Sequence, residues 1–598
     1  MGKKVSLNLS DLRLIDGEVR SLTLEQTDVL IVTGALGLPE TVLVDKCAHM
    51  GSKLKSTRDG FTCESHGWTY QRDGANRIAG NPSLESVPFV VEDDQIVFEL
   101  REKRPILGPR GQLDGSESLE LLAHASFLLN SGENRVLFDP WLDGPTYWGS
   151  WHHFPKNPVS VDELALSHVV ITHPHPDHFH LPTIEKIDRS VQIIIPNFES
   201  GILQKELRKL EFRNINLLGW EEELWLNDYV GLAFLRPVSQ WEDASCLVRV
   251  KDWIWLNQND SGSVLRDDLI PDEVDLLTTS FDTGASGWPL TWDLSEGRKE
   301  AIVRASKKSI LDTIKTRCVQ LNAKYFAPFA GWWRHGLDIH EGFSKKLEHT
   351  THDDLLAILA DTRTQMIPTI PSSVVRLVDM SHSFDVTVMD QLGNAPVVEA
   401  FDPPSRELTD QALAVSINHY MRSLEKLSVA SDCEPVSFVL RIPDADFLGE
   451  FRFGDREIGE ITEISVEIPG WVAELLVSED STAIWNHFDI GYWARWSRTP
   501  DVYPANFMRL LQLGLPRPLL SGENKEDRGA LGKMAVADFI EKDPELSLAI
   551  LNRAGLPCSS CVKANSDTLE NAFRIHGITG NLKSRAERQL AALVAQDD

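Results

Sequence analysis

The run His168-Val-Val-Ile-Thr172-His173-Pro-His175-Pro-Asp177-His178 places an apolar β segment directly ahead of four metal-ligand side chains. Val169 to Ile171 are β-branched and uncharged, the composition of a buried strand. A rigid strand that delivers ligands into the loop at its C-terminal edge is good scaffolding for a metal site. The carboxylate supplies negative charge and the imidazoles set coordination geometry. The competing reading is a histidine-rich solvated loop, which suits His180 alone better than it suits the spaced set. Working outward, strand-like segments at Ser126–Leu129, Val136–Asp139 and Val191–Pro196 alternate with helical segments such as Leu181–Ile187. Strands mixed with helices predict an α/β layered domain from about residue 106 to 370, where Pro368-Thr-Ile-Pro371 punctuates the chain.

Upstream, Cys47-Ala-His49-Met-Gly51 and Cys63-Glu-Ser-His66-Gly-Trp68 form a second constellation. A [2Fe–2S] cluster with two thiolates on one iron and two imidazoles on the other needs two Cys and two His. Glycines beside each pair let backbone N–H groups approach the sulfurs. A zinc knuckle is the alternative, but zinc sites favour C-x-x-C or H-x3-H spacing. Thirteen residues separate His49 from Cys63, so the connecting hairpin must be tight. The pattern resembles Rieske ferredoxins and the Rieske domains of oxygenases. Short β runs at 28–33, 41–44, 86–91 and 95–100 suit an all-β Rieske domain over residues 1–105, and the Pro- and Gly-rich stretch 103–111 marks its end.

Beyond residue 370, a region over 371–528 mixes strand-like 374–378 and 436–441 with a helical 410–417, an α+β pattern, and residues 529–598 read as a helical extension. The 598 residues, 42% hydrophobic and 25% charged, are enough for several cores. A net charge of -30 and a pI near 5.0 argue against nucleic-acid binding, which needs a basic surface. Seven scattered cysteines predict no disulfide framework and fit a reducing cytoplasm. No apolar run reaches membrane-span length, and the start lacks a signal-peptide core. Met1-Gly-Lys-Lys-Val-Ser6 matches a loose myristoylation pattern that a flexible terminus explains equally. Cys558-Ser-Ser-Cys561 has no partner pair nearby and reads as two free thiols rather than half a zinc site.

H-x-H-x-D-H resembles the signature of the metallo-β-lactamase fold, an αββα sandwich. The resemblance implies that His173 and His175 bind one metal, and Asp177 and His178 its neighbour. It also implies a later histidine, a bridging Asp and a final histidine. Asp260, after the strand-like Trp253–Asn259, is the bridging candidate, although Asp also starts turns. His335 is favoured over His340 as the final ligand, and either could be an ordinary histidine. No histidine lies between His180 and His335. Glu242, or its neighbour Asp243, is the available replacement, and oxygen ligands there suit iron or manganese better than zinc. Two exposed acids beside a weak subsite is the other reading.

Both sites together, with Val136-Leu-Phe-Asp-Pro-Trp-Leu-Asp-Gly-Pro145, Ser280-Phe-Asp-Thr-Gly-Ala-Ser-Gly-Trp-Pro-Leu290, Phe326-Ala-Pro-Phe-Ala-Gly331 and Gly491-Tyr-Trp-Ala-Arg-Trp-Ser-Arg-Thr-Pro-Asp-Val-Tyr503, resemble the CMP-N-acetylneuraminate hydroxylase family. That resemblance implies a multidomain monooxygenase. Electrons from a ferredoxin or cytochrome, drawn from NAD(P)H by a reductase, would pass through a Rieske cluster on Cys47, His49, Cys63 and His66. They would reach one or two non-haem irons that activate O2 toward a small polar substrate, with Glu242 and Asp260 in catalytic positions. Two alternatives stay open: a zinc hydrolase with a regulatory Rieske domain, and an electron-transfer or redox-sensing protein whose second site is degenerate.

Overall fold

In the computed structural model the described residues run from 3 to 512, with gaps at 25–26, 35–36, 49–52, 58, 64–68, 77–82, 93, 101–102, 158, 199, 238–241, 263, 393–397, 431–432, 455–460 and 479–483, and continue in pieces between 536 and 590. They divide into two compact units. One comprises 1–197, 202–285 and 295–401; the other comprises 198–201, 286–294 and 402–598.

The N-terminal part of the first unit is all β. Val19–Leu24, Thr27–Thr33 and Pro39–Val44 form one antiparallel sheet, and Lys3–Asn8, Gln95–Leu100 and Phe89–Glu92 another. Their shared core holds Leu24, Val29, Ile31, Val42, Ile96 and Phe98, the alternate positions that a two-residue period buries. The run predicted at 86–91 begins as a strand only at Phe89, with Ser86 making an isolated bridge to Leu43. Pro88 has no N–H with which to continue the ladder. Leu54–Thr57 and Gly60–Cys63 form the tight hairpin that the short spacing demanded. Gly60 sits at φ +148, where any Cβ would strike the Tyr70 carbonyl.

The rest of the first unit is built on two sheets. In the eight-stranded sheet, Asn134–Phe138, His168–Val170, Gln192–Pro196 and Ile215–Leu218 run parallel, joined by crossovers that include Leu181–Ile184 and Ile202–Lys209. The seven-stranded sheet carries Val230–Leu235, Ser245–Val250, Trp253–Asn259, Leu276–Ser280 and Tyr325–Phe329 in sequence order. Buried Trp255 meets Phe127 and Phe138 of the opposite sheet edge-to-face, at 5.4 and 5.0 Å between ring centroids. Each such pair contributes about 1 kcal/mol beyond its buried area. A 25-residue helix, Glu296–Gln320, turns Val303, Ile314, Arg317 and Cys318 inward. This is the metallo-β-lactamase fold.

Pro368–Pro371 does not end this unit. Gln365–Met366 belongs to the seven-stranded sheet, whereas Ser373–Arg376 pairs antiparallel with Ser118–Leu121 of the other. The prolines turn the chain from one sheet into the next, and the unit continues to residue 401.

The second unit mixes sheet and helix. Phe447–Phe453, Val436–Ile442, Thr462–Glu467 and Arg495–Thr499 form its sheet in that order. Helix Asp410–Ala430 packs on Phe447–Phe453 and buries Leu413, Ile417, Tyr420, Met421 and Leu424, a helical stripe. Trp292 stacks on Trp496 at 5.6 Å, and Gly287 lies where a Cβ would meet the Asp489 carbonyl, so the Gly-Trp turn is packing here. Of the C-terminal extension the structure describes one helix, Val536–Lys542, and isolated residues; Cys558 and Cys561 lie outside the described residues. Among the described residues no helix is long and apolar enough to cross a membrane.

Candidate metal centre and cluster site

Strand His168–Val170 is wedged between two parallel neighbours and leads through Ile171 into Thr172. The Thr172 N–H and hydroxyl both donate to the Asp139 carboxylate at 2.8 Å, clamping the loop that follows. Asp139 ends the neighbouring strand, fully buried, at φ +45. Its Oδ2 lies 3.1 Å from His178 Nδ1. A carboxylate behind one imidazole nitrogen orients the ring and leaves the other nitrogen for a metal.

Two donor groups converge in front of this clamp, one of His173, His175 and Asp260, the other of His124, Asp177 and His178. Within each group the donor atoms lie within 4.8 Å of one another. Asp260 joins the groups, since its Oδ2 is 3.9 Å from His173 Nε2 and 3.3 Å from His178 Nε2. Asp177 Oδ2 stands 3.2 Å from His124 Nε2, and the Tyr147 hydroxyl donates to Asp177 Oδ1 at 2.6 Å.

The carboxylate facing His173 from the segment ahead of Ser245–Val250 is that of Asp243, with Oδ1 3.5 Å from His173 Nδ1. Asp243 is buried and its Oδ1 also accepts the Ala244 N–H; Glu242 is half-buried. Of the two acids, Asp243 is the one whose carboxylate faces His173.

His335 stands elsewhere. It closes the short strand Trp333–His335, which pairs with Trp151–His153, and its Nδ1 is 3.3 Å from Ser150 Oγ. The same hydroxyl lies 3.1 Å from His340 Nδ1. Among the described residues neither histidine belongs to a donor group. His124, at the bulged turn between Ser118–Ala123 and Ser126–Ser131, is the histidine that the structure groups with Asp177 and His178. His180 is buried rather than solvated; it meets Thr183 Oγ1 and the Pro145 carbonyl, and burial lowers its pKa to about 4.

The electrostatics fit a cation. Burial opposes charge on His178, but Asp177, Asp260 and Asp139 together push its pKa well above the usual range. Burial, and then the Asp260 carboxylate, push Asp243 upward. Buried His178 Nε2 and Asp260 Oδ1 have no hydrogen-bond partner. Buried polar atoms left this way are costly unless something coordinates them. A donor set of imidazoles and carboxylates suits iron.

At the other constellation, Cys47 and Cys63 are buried and not disulfide-bonded. Cys63 ends Gly60–Cys63 opposite Leu54, and Cys47 follows Pro39–Val44. The Tyr70 hydroxyl accepts the Ala48 N–H at 3.1 Å and lies 3.1 Å from Cys47 Sγ, to which it can donate. Burial, followed by the Cys47 charge, pushes its pKa far up, so it stays a donor. His49 and His66 lie outside the described residues. A hydrogen bond to a charged sulfur is worth about 1.5–3 kcal/mol. At about 59 mV per 1.4 kcal/mol, Tyr70→Phe should lower the cluster potential by roughly 60–130 mV in a redox titration, with the cluster retained.

Residues 4–90 match the Rieske [2Fe-2S] domain and 118–243 the β-lactamase superfamily domain. Curated relatives include the cytidine monophosphate-N-acetylneuraminic acid hydroxylase of Danio rerio, 27% identical over 315 residues, 48% of this chain and 53% of that protein. The match thus spans about half that relative's length. The Pongo pygmaeus hydroxylase is 23% identical over 517 residues, 79% of this chain and 87% of that protein. Among solved structures, CmlA, a diiron beta-hydroxylase from Streptomyces venezuelae, is 16% identical over 43% of this chain and 53% of its own, with a TM-score of 0.28. A possible metal-dependent hydrolase from Veillonella parvula is also 16% identical, over 44% of this chain and 99% of its own, with a TM-score of 0.31. The chain therefore joins a Rieske [2Fe–2S] domain to a metallo-β-lactamase-fold domain and is related over most of its length, at low identity, to the cytidine monophosphate-N-acetylneuraminic acid hydroxylases.

Proposed function

We propose that the protein is a Rieske-coupled non-haem diiron monooxygenase. The observation that carries this reading is the pair of histidine–carboxylate groups, one buried and one half-buried, meeting at Asp260, in the same compact unit as the buried Cys47 and Cys63. His173, His175 and Asp243 would hold one iron, His124, Asp177 and His178 the other, with Asp260 between them. Cys47, His49, Cys63 and His66 would hold the cluster. Iron in such a site activates O2 for insertion into a substrate C–H or N–H bond, consuming two electrons and two protons and releasing one water.

The chain's own residues fix the donors and keep water out. Asp139 holds the His178 ring, and Tyr147 holds Asp177 from the far side of its carboxylate. Stacked Trp151 and Trp333, 3.7 Å apart, and buried Tyr147 against Trp151 wall the loop that follows Asp139. Such walls protect oxidising chemistry from solvent. The Rieske domain takes electrons from a partner protein, here proposed to be a ferredoxin or cytochrome fed by an NAD(P)H reductase. The substrate class proposed is a small polar metabolite such as a sugar nucleotide. Few and scattered cysteines fit a reducing cytoplasm, which we propose as its setting.

Metal counting with spectroscopy tests this. Purified protein should carry about four irons per chain, two in a Rieske signal and two in a separate non-haem signal. It should consume O2 only with a reductant. Zinc in the second site, with hydrolytic turnover in the absence of O2, would overturn the proposal in favour of a hydrolase.

A further inference from the structure

One continuous segment, Gln258 to Ile270, reaches both sites. Near its start lies Asp260, and near its end the single-turn helix Asp267–Leu269. Lys46, the residue before Cys47, places Nζ 2.5 Å from Asp267 Oδ2. Arg317, from the last turn of the long helix, grips the same carboxylate with both Nη atoms, at 3.0 and 3.1 Å. Its Nε donates to Gln258 Oε1 at 2.8 Å, two residues ahead of Asp260. The linker leaving the Rieske domain docks on the same segment. Arg104 and Ile106 donate backbone N–H groups to the Asp268 and Leu269 carbonyls, and Lys103 Nζ reaches the Ile270 carbonyl.

The Arg317 side chain is 3% exposed, and Gln258 is fully buried. A buried guanidinium is an expensive way to staple a loop, since an apolar core of equal volume is often as stable. Its bidentate fork does fix Asp267 in both position and plane. Burial works to raise the Asp267 pKa, but Arg317 and Lys46 hold it far below the carboxylate range, so the bridge stays charged.

We propose that Lys46, Asp267 and Arg317 are positioning residues for electron transfer, holding the Cys47 loop at a fixed distance from the Asp260 turn. This rests on the Rieske-coupled reading. In the step concerned, one electron leaves the reduced cluster and one ferric ion of the second site becomes ferrous, with no bond made or broken. Electron transfer falls off steeply as its two centres move apart, so loosening the Cys47 loop slows the step.

The test uses the iron-loaded full chain as wild type, Lys46→Met, Lys46→Arg and Asp267→Asn. Under anaerobic conditions the cluster is reduced with a substoichiometric pulse of dithionite, and freeze-quench spectroscopy follows its reoxidation by the ferric second site. Lys46→Met and Asp267→Asn should slow that step several-fold. Iron content, cluster g-values and cluster potential should stay at wild-type values, and Lys46→Arg should retain the wild-type rate. Amide hydrogen exchange at 44–48 and 264–270 should rise in Lys46→Met, a readout independent of electron flow. Lys46 lies at the edge of the core, so that variant carries the test if Asp267→Asn does not fold. Wild-type rates in Lys46→Met would overturn this inference alone. Absence of transfer in the wild-type chain would overturn the Rieske-coupled reading and this inference with it.

Discussion

Asp243→Ala should strip one of the two second-site metals, weakening its binding by more than about a hundredfold, whereas Glu242→Ala should leave both in place. Loss of an outer-shell partner alone costs about 10–100-fold in metal affinity, and Asp243 faces His173 directly. The alanine also removes the charge that balances the cation, so the remaining imidazoles face a harder ion with softer donors. Iron per chain, counted by elemental analysis after gel filtration, should fall by about one, and O2-dependent turnover should be lost with it. Asp243→His, which restores a nitrogen donor, should recover metal but not full turnover. Loss of iron in Glu242→Ala with retention in Asp243→Ala would reverse the assignment.

How far the sequence reveals this site depends on how its ligands are spaced along the chain. His173, His175, Asp177 and His178 are legible because one strand and one loop deliver all four, so their spacing is their geometry. Cys47 and Cys63 are legible for a similar reason, and the tight hairpin follows from counting residues. Asp260 is legible as the residue after an apolar strand. His124 is not, because it reaches Asp177 from 53 residues away, through the pairing of Ser118–Ala123 with Ser126–Ser131 and a register shift between Leu121 and Ala123. A histidine between two apolar strand segments, Leu119–Ala123 and Ser126–Leu129, was the available signal, but strand pairing alone gives it a direction. The choice between Glu242 and Asp243 turns on one step of a two-residue period, which no pattern fixes at the end of a strand. Asp139 reads as the Asp-Pro turn it also is; its hold on Thr172 and His178 is a property of two neighbouring parallel strands. The prolines at 368–371 are visible as a break, but a break between sheets and a break between domains carry the same residues.

His124→Ala should cost the metal held by Asp177 and His178, with affinity down by about a hundredfold or more, while His335→Ala should leave the metal count unchanged. The expected split follows from what each ring touches. His124 Nε2 stands 3.2 Å from Asp177 Oδ2, its ring lies edge-on to Trp141 at 5.1 Å, and its backbone carbonyl accepts the Ala330 N–H, so the ring is held in place from three sides. Its removal takes a donor from the group and leaves Asp177 with the Tyr147 hydroxyl as its neighbour. His335 instead shares Ser150 with His340 and lies edge-on to Trp333 at 5.2 Å. Burial, followed by the neighbouring His340, pushes its pKa well below the usual value, so it sits in this packing as a neutral ring. Truncating it opens a cavity and strands a buried hydroxyl partner, at about 1–3 kcal/mol for the lost hydrogen bonding alone. Its phenotype should therefore be a lower midpoint in thermal unfolding with both second-site irons present. The two variants separate ligand from scaffold because the metal count falls in only one of them. If His335→Ala loses a metal at unchanged thermal stability while His124→Ala keeps both, the final ligand is His335, and the turn at His124 serves only to orient Asp177.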